Sequence, residues 1–170
     1  MNAQWLLVLA LGPLAAADDT LEKAKAKDLA AFQGEWRVDW IERDGEKIEL
    51  GPDAVYTIKG NRWFLGDRAI SSIEIDPSTN PKLIDLTRLI NDGKKGFKME
   101  GIYKIEGDTM VWCCFTGEGV KQRPREFRAE RGWDGTLYHM TRVKNAKDWA
   151  CGASLSQRAG RDDQPFPQTK

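Results

Sequence analysis

Histidine occurs once, cysteine three times, and neither sign of charge is in surplus: 26 Lys and Arg stand against 26 Asp and Glu. With His139 alone and no Cys-x-x-Cys pair, there is no zinc-ligand set and no histidine relay. By strand parity His139 falls on an outer face, where it reads as a solvated histidine rather than a catalytic base. Charge neutrality removes the electrostatic ground for nucleic acid or an anionic membrane as partner. The densest basic run, "KQRPREFRAER", carries Glu126 and Glu130 between its arginines and reads as a solvated strand face. There is no nucleophile elbow, P-loop or dinucleotide fingerprint. The expectation is a non-enzymatic protein with no cofactor and no metal, an enzyme standing third among the function classes.

Long hydrophobic runs are also missing. Residues 5–11 are apolar but too few to span a bilayer, and they lead through Gly12-Pro13 to Ala15-x-Ala17 before Asp18, the pattern of a signal-peptidase site. Residues 1–17 are therefore expected to be a signal peptide, a buried N-terminal helix being the alternative. The mature chain would be periplasmic or secreted, off the membrane, and large enough for one domain with a core but not for two.

Within residues 18–143 the pattern changes once. "DDTLEKAKAKDLAAF" predicts a short helix with an N-cap in residues 18–20 and with Leu29 and Phe32 on one face. Gly34 then hands over to Trp36, Val38 and Trp40, alternating with Arg37, Asp39 and Ile41. That is a strand pattern with one apolar face. Strand-like segments recur from there, with turn signals at Asp44-Gly45, Gly60-Asn61, Gly107-Asp108 and Asp134-Gly135, and a longer one at Asn91-Asp92-Gly93. The expected fold is all-β: an antiparallel up-and-down barrel of roughly eight to ten strands, with "REFRAER" as one of them, entered by a short N-terminal helix. Residues 144–170 are polar and are expected to form a tail.

Alternation assigns an interior. It comprises Trp36, Val38 and Trp40; Tyr56 and Ile58; Ile73 and Ile75; Ile84 and Leu86; Met99, Tyr103 and Ile105; Met110 and Trp112; Phe127; and Tyr138 and Met140. Arg142 shares their parity, an inward charge that calls for an aromatic ring beneath it. Large rings inside allow two readings. One is a pocket for a small apolar ligand, lined by Trp40, Tyr56, Tyr103, Trp112 and Tyr138; the other is a filled core. An interior pocket favours a carrier of a small apolar molecule. A filled interior favours a protein-interaction or inhibitor module that uses the barrel exterior and loops.

Two smaller features are weighed the same way. Asp76, Ser78 and Asn80 alternate as oxygen ligands would, but lack the glycine and distal glutamate of a calcium loop, so a turn is expected. Cys113 and Cys114 are neighbours on a strand and must face opposite ways, Cys113 out and Cys114 in. Export would permit one disulfide, for which Cys113 with Cys151 is the candidate; three free thiols are the alternative.

Gly34, Trp36 and Arg142 together look like the lipocalin signature, in which a basic side chain from the last strand covers a first-strand tryptophan at the closed barrel end. A more specific set of blocks resembles the lipocalin-like domain family abundant in planctomycete bacteria, over about residues 29–144. These blocks are Leu29 with "QGEWRV"; "IDPSTNPKLIDL"; "GIYKIEGDTMVWC"; and "RPREF". The resemblance implies a fold and carries no activity with it. Cys114, Cys151 and the tail depart from it.

Overall fold

The computed structural model of the chain describes residues 14–90, 95–115 and 123–144. The expectations placed on residues 1–13, on Asn91-Asp92-Gly93, on Cys151 and on the tail beyond Lys144 lie outside them.

One helix, α1 (Leu14–Phe32), precedes nine strands: β1 (Gly34–Arg43), β2 (Glu46–Glu49), β3 (Val55–Lys59), β4 (Arg62–Leu65), β5 (Arg68–Asp76), β6 (Lys82–Leu89), β7 (Lys95–Glu106), β8 (Thr109–Phe115) and β9 (Gly135–Arg142). The helix starts earlier than its expected cap, because Leu14 and the alanines after it are strong helix formers and extend it upstream. All described strand pairs are antiparallel, and β1 pairs with β9 as well as β3, which closes eight strands into a barrel. The ninth, β2, is a short strand paired with residues 40–43 of β1, beyond the residues 34–37 that pair with β3, and is exposed throughout. Tight turns at Asp44-Gly45 and Gly107-Asp108 carry the positive φ that such hairpins need, at 53° and 74° for the first pair.

The helix end, the first strand and the last strand meet at one barrel end, called here the floor. Gly34 has a φ of 111°, which a side chain rarely adopts, and a Cβ there would stand 3.2 Å from the Arg142 guanidinium. Trp36 is fully buried, and the Arg142 guanidinium lies 4.2 Å from its ring centre. The same two side chains satisfy the carbonyls that the helix leaves unpaired. Trp36 Nε1 donates to Phe32 O at 2.7 Å, and Arg142 donates to Ala31 O at 2.7 Å and to Gln33 O. Asp28 ties the helix to the wall by accepting from Lys82 Nζ at 2.6 Å and Tyr103 Oη at 2.7 Å.

Two inward assignments are corrected. On β1, Val38 pairs with Met140 but Trp40 with His139, so Asp39 is bulged out of register. A bulge inserts one residue and reverses the parity beyond it. Trp40 therefore lies on the outer face, stacked on His139 at 5.0 Å under Lys47, and Ile41 joins the core in its place. The second correction is "REFRAER", which forms no strand. Residues 123–133 instead cross the outer wall, and Phe127 packs with Trp133 over an exterior cluster of Ile102, Val111, Cys113, Ala129 and Leu137. Asp134-Gly135 accordingly opens β9 instead of turning a hairpin.

The floor sets the stability. Trp36→Ala is expected to cost about 3–5 kcal/mol, the range for deleting a buried large aromatic. Gly34→Ala should cost about 1–3 kcal/mol through backbone strain. Urea unfolding followed by tryptophan emission measures both, and a Trp36→Ala midpoint equal to that of the parent would contradict the arrangement.

Candidate functional site

The barrel interior changes character along its axis. At the floor Trp36, Ile58, Met110 and Met140 are all at most 1% exposed, which is close packing. Above them runs a layer of rings. Tyr56 meets Trp63 edge-on at 5.8 Å, Trp63 meets Trp112 at 5.1 Å, and Trp112 stacks on Tyr138 at 4.5 Å. Gly101 makes room for this layer: a Cβ there would come within 2.9 Å of Trp112 Nε1 and 2.6 Å of the Cys113 carbonyl oxygen.

At the other end, the mouth, Cys114 and Thr136 are fully buried, and partial exposure is shared between the ends, at Ile75 and Ile105 near the floor and at three residues of the mouth half. Tyr56, Ile70 and Met99 pack against the core yet keep partial exposure. Two polar atoms of the ring layer are buried without a well-formed hydrogen bond among the described residues: Trp112 Nε1, which has no partner, and Tyr138 Oη, which has the Arg43 side chain beside it. Leaving such a group unpaired costs about 1–3 kcal/mol, so Trp112 Nε1 points to something that satisfies it. Burial pushes the Tyr138 phenol well up; Cys114 and Tyr56 nearby add to the rise, and Arg43 opposes it. The Tyr56 phenol is raised by burial as well.

Of the five expected ligand contacts, the fold gathers Tyr56, Trp112 and Tyr138. Tyr103 stands apart at the floor, against Phe32 at 4.8 Å and bonded to Asp28, and burial followed by that bond raises its phenol. Trp40 is outside. Two mouth residues escaped the sequence reading. Arg43 turns inward only because the bulge reverses parity, and its Nε donates to Thr136 Oγ1 at 3.2 Å. Arg88 pairs with Ser71 one step beyond the inward pair Ile73 and Leu86, and it lies over Phe97 at 5.7 Å; its parity was there to be read.

The outer wall has its own construction. Arg123 donates to Gly101 O at 2.7 Å and Ile84 O at 3.3 Å and pairs with Asp85 at 2.6 Å, so three of the blocks quoted for the family resemblance meet there. Beside it an open groove of about 610 Å³ is bounded by Pro81, Leu83, Ile102 and Pro124, with Thr79, Asn80 and Arg125 at its edges. His139 is indeed on the outer face, where Asp39 holds its Nδ1 at 3.2 Å and takes the Thr141 hydroxyl at 2.6 Å. Asp76 accepts from the Ser78 amide at 2.9 Å and hydroxyl at 2.6 Å, a turn as expected. Among the described residues no group of three or more His, Cys, Asp or Glu could hold a metal.

No family model, curated protein or solved structure matches the chain. The site therefore has to be argued from its own geometry.

The cysteines give a direct check on which side chains face where. Cys114 lies in the barrel core and Cys113 in the exterior cluster, its Sγ 3.5 Å from Arg128 O. Burial pushes the Cys113 thiol up to about 12 and the Cys114 thiol well above its ordinary value. At pH 8 the Cys113 thiolate fraction would be about one in ten thousand, and only the thiolate reacts. Iodoacetamide at pH 8 should leave both unmodified in the folded protein and label both in urea, as read by peptide mapping. Rapid native labelling of Cys113 would show that residues 123–133 do not cover it.

Proposed function

We propose that the barrel is a non-enzymatic binding module of the lipocalin-like kind, taking a small apolar molecule into its mouth half. The observation that supports this is the buried Trp112 Nε1 in the ring layer, which has no hydrogen-bond partner among the described residues and lies below the partly exposed apolar residues Tyr56, Ile70 and Met99 of the mouth half. A barrel stabilised only by its own packing has no need for a polar group left unpaired in its core. A bound molecule supplies both the missing hydrogen bond and further apolar contacts. The leader-like first 17 residues fit export, and a scavenging or carrier role outside the cytoplasm suits such a module.

A second reading rests on the outer groove between the β5–β6 turn and Pro124, which is large enough for a peptide segment and uses no interior space. Native mass spectrometry of the protein purified from its own host separates the two. A retained small mass supports the interior site, and a retained polypeptide supports the groove.

Nile red, a neutral apolar dye, should bind saturably with micromolar affinity, about 8 kcal/mol, and quench tryptophan emission. Trp112→Leu should weaken it roughly five- to tenfold by removing ring contact, with the urea midpoint still that of a folded protein. Dye titration without saturation, on folded protein, would overturn the interior reading.

A further inference from the structure

The interior reading leaves the chemistry of the ligand's polar end open, and the inward rows bear on it. Cross-strand partners point to the same face, so the inward side chains can be followed to the mouth. On β5 and β6 the inward pair Ile73 and Leu86 is followed by Ser71 and Arg88. On β1, β8 and β9, Ile41, Trp112 and Tyr138 are followed by Arg43, Cys114 and Thr136. Each row thus ends in an arginine. On the eight strands that close the barrel no Asp or Glu has inward parity; on β2 Glu46 stands opposite Arg43 but is exposed, and no ion pair joins an acid of the described residues to Arg43 or Arg88.

Beside the hydroxyls of Ser71 and Thr136, the remaining polar atoms inside are donors. Trp112 Nε1 can only donate, guanidinium groups can only donate, and a phenol whose ionisation is suppressed keeps its proton to donate. A ligand that matches them accepts hydrogen bonds and carries negative charge. β1 and β6 stand opposite one another in the closed order of strands, so their arginines reach the mouth from facing walls. Thr136 orients the Arg43 guanidinium on the wall that Tyr138 also occupies.

We propose that the ligand is an amphipathic acid, an apolar body with one carboxylate, whose head is held by Arg43 and Tyr138 with Arg88 facing it and whose body rests on the ring layer. This rests on the interior reading above, and it adds a preference for negative charge that a merely apolar pocket would not show. Arginine with a carboxylate is a charge-assisted contact, stronger than its neutral counterpart, and partial burial limits its screening.

The test uses decanoic acid and decanol, which share a body and differ in the head, titrated calorimetrically into the full chain at pH 8. Decanoate is expected to bind at least tenfold more tightly than decanol. Arg43→Gln should remove most of that preference while leaving decanol affinity within about threefold of the parent, and Arg43→Lys should keep part of it. Equal affinities, or tighter decanol, would overturn the acid assignment while leaving the apolar-ligand reading intact. If neither compound nor Nile red binds, both fall. Should Arg43→Gln fail to fold by circular dichroism, Arg88→Gln carries the test with the same expected loss. A preference unchanged in every folded variant would overturn the assignment.

Discussion

Arg142 is the side chain on which the rest of the molecule depends. It belongs to the last strand, lies on a tryptophan of the first, and donates to carbonyls at the end of the helix that precedes both. A partly buried guanidinium is costly to desolvate unless its donors are met and its charge is answered. Here the helix carbonyls, the Trp36 ring and Asp108 at 3.5 Å share that task. The first and last elements of the barrel are thereby locked together at the point where an open sheet would otherwise keep two free edges. Gly34 is the backbone condition for this contact, since a side chain there would crowd the guanidinium.

Closing the floor this tightly frees the mouth from having to hold the barrel together. The bulge at Asp39 exploits that freedom. It sends Trp40 out to stack on His139 and brings Ile41 and Arg43 in, so one extra residue replaces an inward ring with an inward cation. Trp112 Nε1 in the ring layer departs from the rule that buried polar groups are satisfied. The lipocalin-like reading of this site is the interpretation proposed above, and the chemistry of the inward rows is what distinguishes it from simple core packing.

The outer wall shows a different solution to burial. Ile102, Val111, Cys113 and Leu137 face outward and would leave an apolar stripe in water. Residues 123–133 cover it, anchored by Arg123 at one end. Further along, Ala129 accepts from the Gly45 amide at 2.6 Å and donates to Glu42 at 2.7 Å. These bonds to the β1–β2 hairpin give the covering segment its backbone partners without a place in the sheet.

Much of the architecture could be read from local pattern. Alternating apolar residues, glycine turns and the change of period at Gly34 specify strands, their order and the helix, because strand and helix periods are properties of a few neighbouring residues. That Arg142 points inward and needs a ring beneath it was legible too, and the resemblance to the lipocalin signature named Trp36 as that ring. Tyr56, Trp112 and Tyr138 could be named as a set by parity, and the opposite facing of Cys113 and Cys114 followed from adjacency alone. Three things could not be read this way. A bulge depends on the register between two strands far apart in sequence, so nothing in "VDWIER" by itself says that Asp39 is skipped; the adjacent apolar pair Trp40 and Ile41 was its only trace. The fate of "REFRAER" depended on whether β8 and β9 would pair directly, which left it no edge to join. That Arg43 and Arg88 stand on strands opposite each other depended on barrel closure, which sets the order of β1 and β6 around the wall. Local sequence determines period and turn because those arise from contacts a few residues apart, whereas register, coverage and placement around the wall arise from contacts that exist only once the barrel has closed.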